Sequence, residues 1–563
     1  MSTTPPSAAA PATEDIQVGS FFLETLTTGM YEDPFHCIRE YVQNGFDAIQ
    51  DAIRAGDLAA DDGRILISIG GSTRAPSLSI RDNGTGIPAA RAYSTLVSLG
   101  ASRKTPALHA GFRGIGRLAG IAYCTTLRFT TKARGENVAT VVDYDCGRVR
   151  GYFSPGADPV DVRDVVRACV SKSTVEADAQ DHYTEVEMIQ LVNLGTEFVD
   201  LDKLQPYLRQ VCPVEYPDTF DFADRVRSLA AGVGESLPVV HVETRQKRER
   251  VPVLKPYKNS YPTGRKNIFS RLHDVEVFSS KEHGWFGWIG VSNFPGEIVD
   301  ETAAGVRFRI KNIQIGNAEI IESLAEELTA AGTERRLQPW AVGEIFVTNS
   351  QVVPNARRDG FEDSAAWRTL RRDIKEQVVR RIIKLVRGAS STRTAMKSLS
   401  DALKRLAGQV GAESMTAERK TQLEGEIKRH LQTLATPERL LGADPKEVSA
   451  LTSRFKELQE RLAKIRLAEP PREAPSRSGA DDADASGADP GSSPDEAQTS
   501  PGDDAARGDE EGDGATGGSP EGDSETEQSM LAIIHNVLCA ELGEAEAARL
   551  TSLIGAQLAA AGF

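Results

Sequence analysis

The run Gly111-Phe112-Arg113-Gly114-Ile115-Gly116-Arg117-Leu118-Ala119-Gly120 is a glycine-rich loop leading into an apolar segment. Such a loop, opening a helix, turns free backbone N–H groups toward an anion and suits a phosphate. Arg103 and Lys104, just upstream beside Ser102, add positive charge. Within it GIGRLA matches the dinucleotide fingerprint G-x-G-x-x-A, but KTPALHAGFR ahead of it is not a buried strand, so the context of that motif is missing. A second candidate, Asp82-Asn83-Gly84-Thr85-Gly86-Ile87, directly follows an alternating strand. Asn-Gly alone reads as a hairpin turn. A strand-end Asp82 can also accept a hydrogen bond from an adenine amino group, and Gly84 and Gly86 let backbone approach a base. A bond to a charged acceptor contributes about 1.5–3 kcal/mol, enough to select a base. The third candidate is Glu40, Asn44 and Asp47, whose steps of four and three place all three on one helix face. Taken alone, that trio is the solvated face of an amphipathic helix. The appearance of all three groups in order within 80 residues carries the inference.

The elements that must position them are legible as patterns. Ile16 to Arg54 reads as helical with a break at Pro34; Phe35, Ile38, Val42, Phe46, Ile49 and Ile53 recur at three- and four-residue steps, and Gly56 stops them. RILISIG and SLSIRD alternate as half-buried strands across the turn GGSTRAP and are expected to be antiparallel neighbours. TTLRFTTKA, ENVATVVDY and YTEVEMIQL are further strands, giving a mixed sheet covered by helices to about residue 235. A second block runs from 236 to about 390. It opens with PVVHVET and VPVLKPY, passes through WFGWIGVSN, VRFRIKNIQI and GEIFVTN, and ends in the helix AWRTLRRDIKEQVVRRIIKLV. Trp285, Phe286 and Trp288 read either as strand core or as an exposed client-binding patch. Residues 391–470 are helical, with heptad steps at Met396, Leu399, Leu403, Leu406 and Val410 and again from Val448 to Ile465. They suit a helical hairpin, a coiled-coil pairing, or packing back on the body.

The formal charge of −15 is local. Residues 471–529 hold 17 Asp/Glu against 3 Arg and no large apolar side chain, leaving the remainder near neutrality. That stretch is expected to be a disordered acidic linker, followed by a helical pair at 530–563 too short to fold alone. Residues 1–15 are expected to be disordered and carry no signal-peptide pattern. No apolar run reaches the roughly 18–20 residues of a membrane helix, and six scattered cysteines without a CxxC pair suit a reducing, cytoplasmic setting.

Together the three motifs resemble those of the GHKL ATPases, the superfamily of gyrase B, heat shock protein 90, histidine kinases and MutL, over roughly residues 16–235. The resemblance implies an α+β Bergerat fold, with helices on a mixed, largely antiparallel sheet, that binds ATP and Mg²⁺. It implies that Glu40 is the general base, that Asn44 ligates Mg²⁺, and that Asp82 holds adenine beside Gly84, Gly86 and Ile87. Asp47 matches the motif's helix acid. Gly111, Gly114, Ile115 and Gly116, with Ser102 and Lys104, would wrap the phosphates, and Thr184 matches a threonine near adenine. The presence of Glu40 favours hydrolysis over phosphotransfer, and no histidine box is evident.

The flanks FFLETLTTGMYEDP and LQPYLRQVCPVEYP, with VRFRIKNIQIGN, GEIFV and VVPNARRDGFEDS, are similar to the heat shock protein 90 family over a shortened α/β middle domain. That likeness implies a slow, ATP-gated homodimeric clamp of chaperone type in which Arg358, with Arg357 beside it, reaches the γ-phosphate. An unknown client or partner would engage the C-terminal helices. Departures from that family, among them a short lid, leave a MORC- or MutL-like nucleic-acid ATPase and a nucleotide-gated signalling or defence module as alternatives. The basic runs RQKRER and RTLRRDIKEQVVRRIIK read as solvated faces or as a nucleic-acid surface.

Overall fold

The computed structural model describes residues 18–20, 24–25, 33–102, 104–154, 156–158, 160–328, 338–411, 414–467 and 552. The chain divides into two compact units, 1–472 and 473–563, and all but one of the described residues belong to the first. The expected linker at 471–529, the disordered start at 1–15 and nearly all of the terminal helical pair lie outside the described residues, as does Arg103.

The first helix, α1 (Phe35–Ala55), starts where the Asp33 carboxylate accepts the Phe35 N–H at 2.8 Å and stops at Gly56 in a left-handed conformation. Its apolar stripe, Ile38, Tyr41, Val42, Phe46 and Ile49, is buried. Before α1, Glu24 and Thr25 are helical as expected, whereas residues 18–20 are not, since Gly19 forms an antiparallel bridge with Asp161. After α1 come β1 (Arg64–Ser72), β2 (Ala75–Asp82), α2 (Ala89–Val97), a 3₁₀ turn at Gly116–Ala122, β3 (Cys124–Lys132), β4 (Val138–Asp145), β5 (Val170–Glu176) and β6 (Tyr183–Leu191). Two further strands, β7 (His241–Gln246) and β8 (Glu249–Val253), complete one eight-stranded sheet in the order β5-β4-β3-β6-β2-β1-β7-β8. All neighbours are antiparallel except β1 and β7, so the sheet is mixed and largely antiparallel. The stripe of α1 packs in one core with Ile65, Ile67, Leu78, Ile80, Leu127 and Met188 of the sheet. This is an α+β fold with helices on a mixed, largely antiparallel sheet, consistent with the GHKL expectation.

The sequence pattern opens a second block at 236, yet PVVHVET and VPVLKPY supply β7 and β8 of the first sheet. Alternation identifies a strand but not its edge, and here Val242 and Val253 complete the first core. A six-stranded sheet follows, ordered β13-β12-β14-β11-β10-β9, from β9 (Ser260–Pro262), β10 (Phe269–Ser280), β11 (Trp285–Ser292), β12 (Gly305–Ile310), β13 (Ile313–Ile315) and β14 (Val342–Val347). The exposed-patch reading of WFGWIGVSN does not hold. Trp285, Phe286 and Trp288 are at most 2% exposed, and β11 sends Trp285 and Ile289 into one core and Phe286 and Trp288 into another. The second of these cores also takes in Tyr216, Phe220 and Val226 from the chain before β7. There the Glu344 carboxylate accepts Lys255 Nζ at 2.8 Å and Trp288 Nε1 at 3.2 Å, and also pairs with Arg309 and the Tyr216 hydroxyl. A buried carboxylate is tolerated only when paired this fully.

One long helical run follows, Ala365–Ile374, a π-turn at Lys375–Val379, then Arg380–Gln409, so no break separates the end of the second block from the heptad region. Helices Ala417–Leu434 and Pro445–Lys464 fold back on it. Leu399, Leu403 and Leu406 share a core with Leu423, Ile427, Leu451, Phe455, Leu458 and Leu462. The heptad seam is therefore filled from within the chain.

Candidate functional site

Three structural regions converge on one face of the first sheet: α1, the glycine loop, and a loop from the second sheet's side.

At the sheet, β2, β6 and β3 bring Asp82, Thr184 and Thr131 into lateral register. Asp82 Oδ1 accepts the Gly84 N–H at 2.8 Å and the Thr184 N–H at 3.4 Å. Thr131 Oγ1 accepts the Ile87 N–H at 2.8 Å and lies 3.0 Å from Thr184 Oγ1. Gly86 has φ +63°, and a Cβ there would collide with the Lys132 carbonyl, so only glycine fits this turn. Asp82 is 7% exposed, and burial pushes its carboxyl up to about 7 even though the Gly84 and Thr184 N–H groups favour its charged form. Thr131 and His182, whose ring nitrogen lies 2.8 Å from the Gly84 carbonyl, were not signalled by the sequence. Nothing in TTLRFTTKA distinguishes Thr131 from Thr130; only register does.

On α1, Asp47 is 1% exposed and grips the start of the glycine loop. Its oxygens accept the Ala110 N–H at 2.8 Å and the Gly111 N–H at 2.9 Å, and Lys104 Nζ lies 3.0 Å away. Lys104 Nζ is also 3.4 Å from Asn44 Oδ1. A cationic head thus sits against Asn44 and Asp47, which shows that this corner of the site accepts positive charge. Its oxygen donors suit Mg²⁺, which needs few protein ligands because it keeps waters and substrate phosphates. Ser102 lies against Gly114, and Ile115 accepts the Leu118 N–H at 3.1 Å as the 3₁₀ turn begins. Tyr41 pins that turn, donating to the Arg117 carbonyl at 3.0 Å and accepting the Gly120 N–H at 2.9 Å.

Glu40 is 7% exposed, and Gly116 passes so close that a Cβ would overlap its carboxylate. Arg358 lies across the same carboxylate, with Nε 3.0 Å from Glu40 Oε1 and Nη2 donating to the Ala110 carbonyl at 2.7 Å. Arg358 is 4% exposed and has φ +59°, a conformation costly for a residue with a Cβ. It is therefore no surface basic residue. Its loop is tied down on both sides: Arg39 Nη2 donates to the Arg357 carbonyl at 3.0 Å, and Arg113 Nη2 to the Pro354 carbonyl at 2.8 Å. Every expected site residue from the three motifs falls in this one region, together with Arg358 from a distant stretch of chain.

Residues 31–159 match the family model described as Histidine kinase-, DNA gyrase B-, and HSP90-like ATPase. The match supports the GHKL superfamily. It spans α1, both turns at Asp82–Ile87 and the glycine loop, and less than a quarter of the 563 residues. No curated protein matches the sequence. In the GHKL-type segment the groups available for chemistry are a buried carboxylate (Glu40), an amide oxygen (Asn44), a buried acceptor at the sheet (Asp82), and backbone N–H groups along the loop.

Proposed function

We propose that this protein is a Mg²⁺-dependent ATPase that works as an ATP-gated clamp of the heat shock protein 90 kind, with chaperone-type action as a homodimer. The GHKL family match supports ATP binding and hydrolysis. The observation that carries the finer reading is the meeting of Glu40 and Arg358 over the glycine loop, a carboxylate from α1 and a guanidinium from the loop after the second sheet. The dimer rests on the family likeness.

ATP enters with its adenine amino group toward Asp82 and its phosphates along Gly111–Gly116. Asn44 Oδ1 would be the side-chain ligand for Mg²⁺, which when bound would supply positive charge to offset that of the phosphates. Arg358 exchanges Glu40 for the γ-phosphate and stabilises charge developing there. Glu40, released from its cation, takes a proton from water as the water oxygen attacks the γ-phosphorus and the bond to the β-phosphate oxygen breaks, giving ADP and phosphate. Turnover is slow because the buried Arg358 contacts must break first. The test is steady-state hydrolysis by the full chain, alone and with an unfolded protein. Turnover that rises with unfolded protein supports the chaperone-type clamp; turnover indifferent to it removes that part.

Asp82 gives a pH signature. Its folded pKa is raised above the usual carboxylate value, so the folded protein binds the extra proton and is most stabilised at low pH. That contribution is lost as pH rises from about 4 through about 7. Adenine needs the ionised acceptor, so ATP affinity is expected to weaken by about tenfold per unit below pH 7. Asp82→Asn turns an amide donor toward other donors and should lower affinity by about 1.5–3 kcal/mol while flattening the profile. Calorimetric titration from pH 5.5 to 8 reads both; unchanged affinity in the variant removes Asp82 from the base site.

A further inference from the structure

We propose that Gln43 is a positioning residue of this site. Its side-chain amide takes over the Ala110–Gly111 backbone when Arg358 leaves it. The proposal rests on the nucleotide-site reading above.

Gln43 lies three residues after Glu40 and four before Asp47, on the face of α1 that carries both. It is fully buried, at 0% exposure, and among the described residues neither amide atom has a hydrogen-bond partner. A Cβ on Gly111 would come within 2.5 Å of its Nε2, so the amide lies directly against the glycine loop. The backbone there is held on one side by Asp47, through the Ala110 and Gly111 N–H groups, and on the other by Arg358 at the Ala110 carbonyl. One turn back along α1, Arg39 holds the Arg357 carbonyl while its own Nε is unpartnered. Helix, glycine loop and Arg358 loop thus meet in a knot of buried polar groups, several of them unsatisfied.

Packing does not account for glutamine here, because leucine or methionine would fill similar volume and bury no polar atom. Its hydrogen bonds belong to another arrangement of the same elements. When Arg358 turns to phosphate, the buried Ala110 carbonyl loses its donor. Gln43, with two N–H donors and an acceptor against that backbone, replaces it. One donor leaves and another arrives, so the loop changes position without leaving a carbonyl bare.

The test uses the full chain and Gln43→Met, which keeps the length and removes the amide. Amide hydrogen exchange over residues 108–116 is followed with and without the β,γ-imido analogue of ATP, alongside melting temperature, kcat and KM. The nucleotide-free variant is expected to melt at or above the wild-type temperature. Its analogue-induced protection and kcat are expected to fall by roughly two- to tenfold, with KM unchanged. Gln43→Leu, which likewise removes the amide and buries no polar atom, should show the same loss. A residue that merely packs would lower stability and activity together, so that result overturns the proposal, as does wild-type protection in either variant. If the wild type shows Gln43-dependent protection yet never hydrolyses ATP, the ATPase reading falls and this one stands. If the wild type hydrolyses ATP and the variants match it, this one alone falls. If the analogue does not bind the wild type, both fall.

Discussion

Glu40→Gln is expected to bind ATP as the wild type does and to hydrolyse it about 10²–10⁴-fold more slowly, the usual contribution of a positioned general base. The substitution keeps the shape of a side chain that is 7% exposed and pressed against Gly116, so the loop has no steric reason to move. What changes is the ability to take a proton from water, and the charge that draws Arg358. An equilibrium titration with labelled ATP beside a phosphate-release assay separates the two properties. Binding and turnover lost together would mean that Glu40 serves the loop rather than the chemistry. Turnover within a few-fold of wild type would move the base elsewhere.

The larger effect is expected at Arg358. Arginines that reach a transferring phosphoryl group contribute about 10³–10⁵ in rate, and Arg358→Ala should lose turnover on that scale with ADP affinity little changed. Because the native residue sits at φ +59° and is buried against the Ala110 carbonyl, a fall in stability could mimic this loss. Arg358→Gly separates the causes. Glycine adopts that backbone conformation without cost, so the loop keeps its path while the guanidinium is gone. Turnover should be as low as in the alanine variant while melting temperature recovers toward wild type. If glycine restored activity, Arg358 would be a backbone device and not a catalytic one.

How much of this could be read from residues depends on what each one signals. Glu40, Asn44 and Asp47 were legible because helical periodicity alone puts them on one face, and the Asp82 turn because glycines at 84 and 86 mark places where a side chain is excluded. The strand alternation of PVVHVET was equally plain, but the pattern does not say that β7 pairs with β1, since that requires knowing which edge is open. The heptads likewise announced a seam without naming its partner, and Leu403 shares its core with Phe455 of its own chain. Gln43 and Thr131 were invisible for another reason. A buried amide and a register-matched hydroxyl have no one-dimensional signature; their meaning lies in what surrounds them. Arg358 was reached through family resemblance, and its burial against Glu40 is a fact of tertiary structure alone.

The parallel pairing of β1 with β7 bears on how the protein is made. β1 ends at Ser72 and its outer neighbour begins at His241, so during synthesis nearly 170 residues leave the ribosome before that edge is covered. Until then the nascent sheet ends in RILISIG, a β-branched strand with open N–H and C=O groups, the kind of edge that recruits foreign strands. Closing it is a long-range event and correspondingly slow. The candidate site, whose motifs are all translated by residue 184, therefore sits in an unfinished sheet for much of its early life. Growing chains are most exposed to mispairing between the emergence of β1 and that of β7.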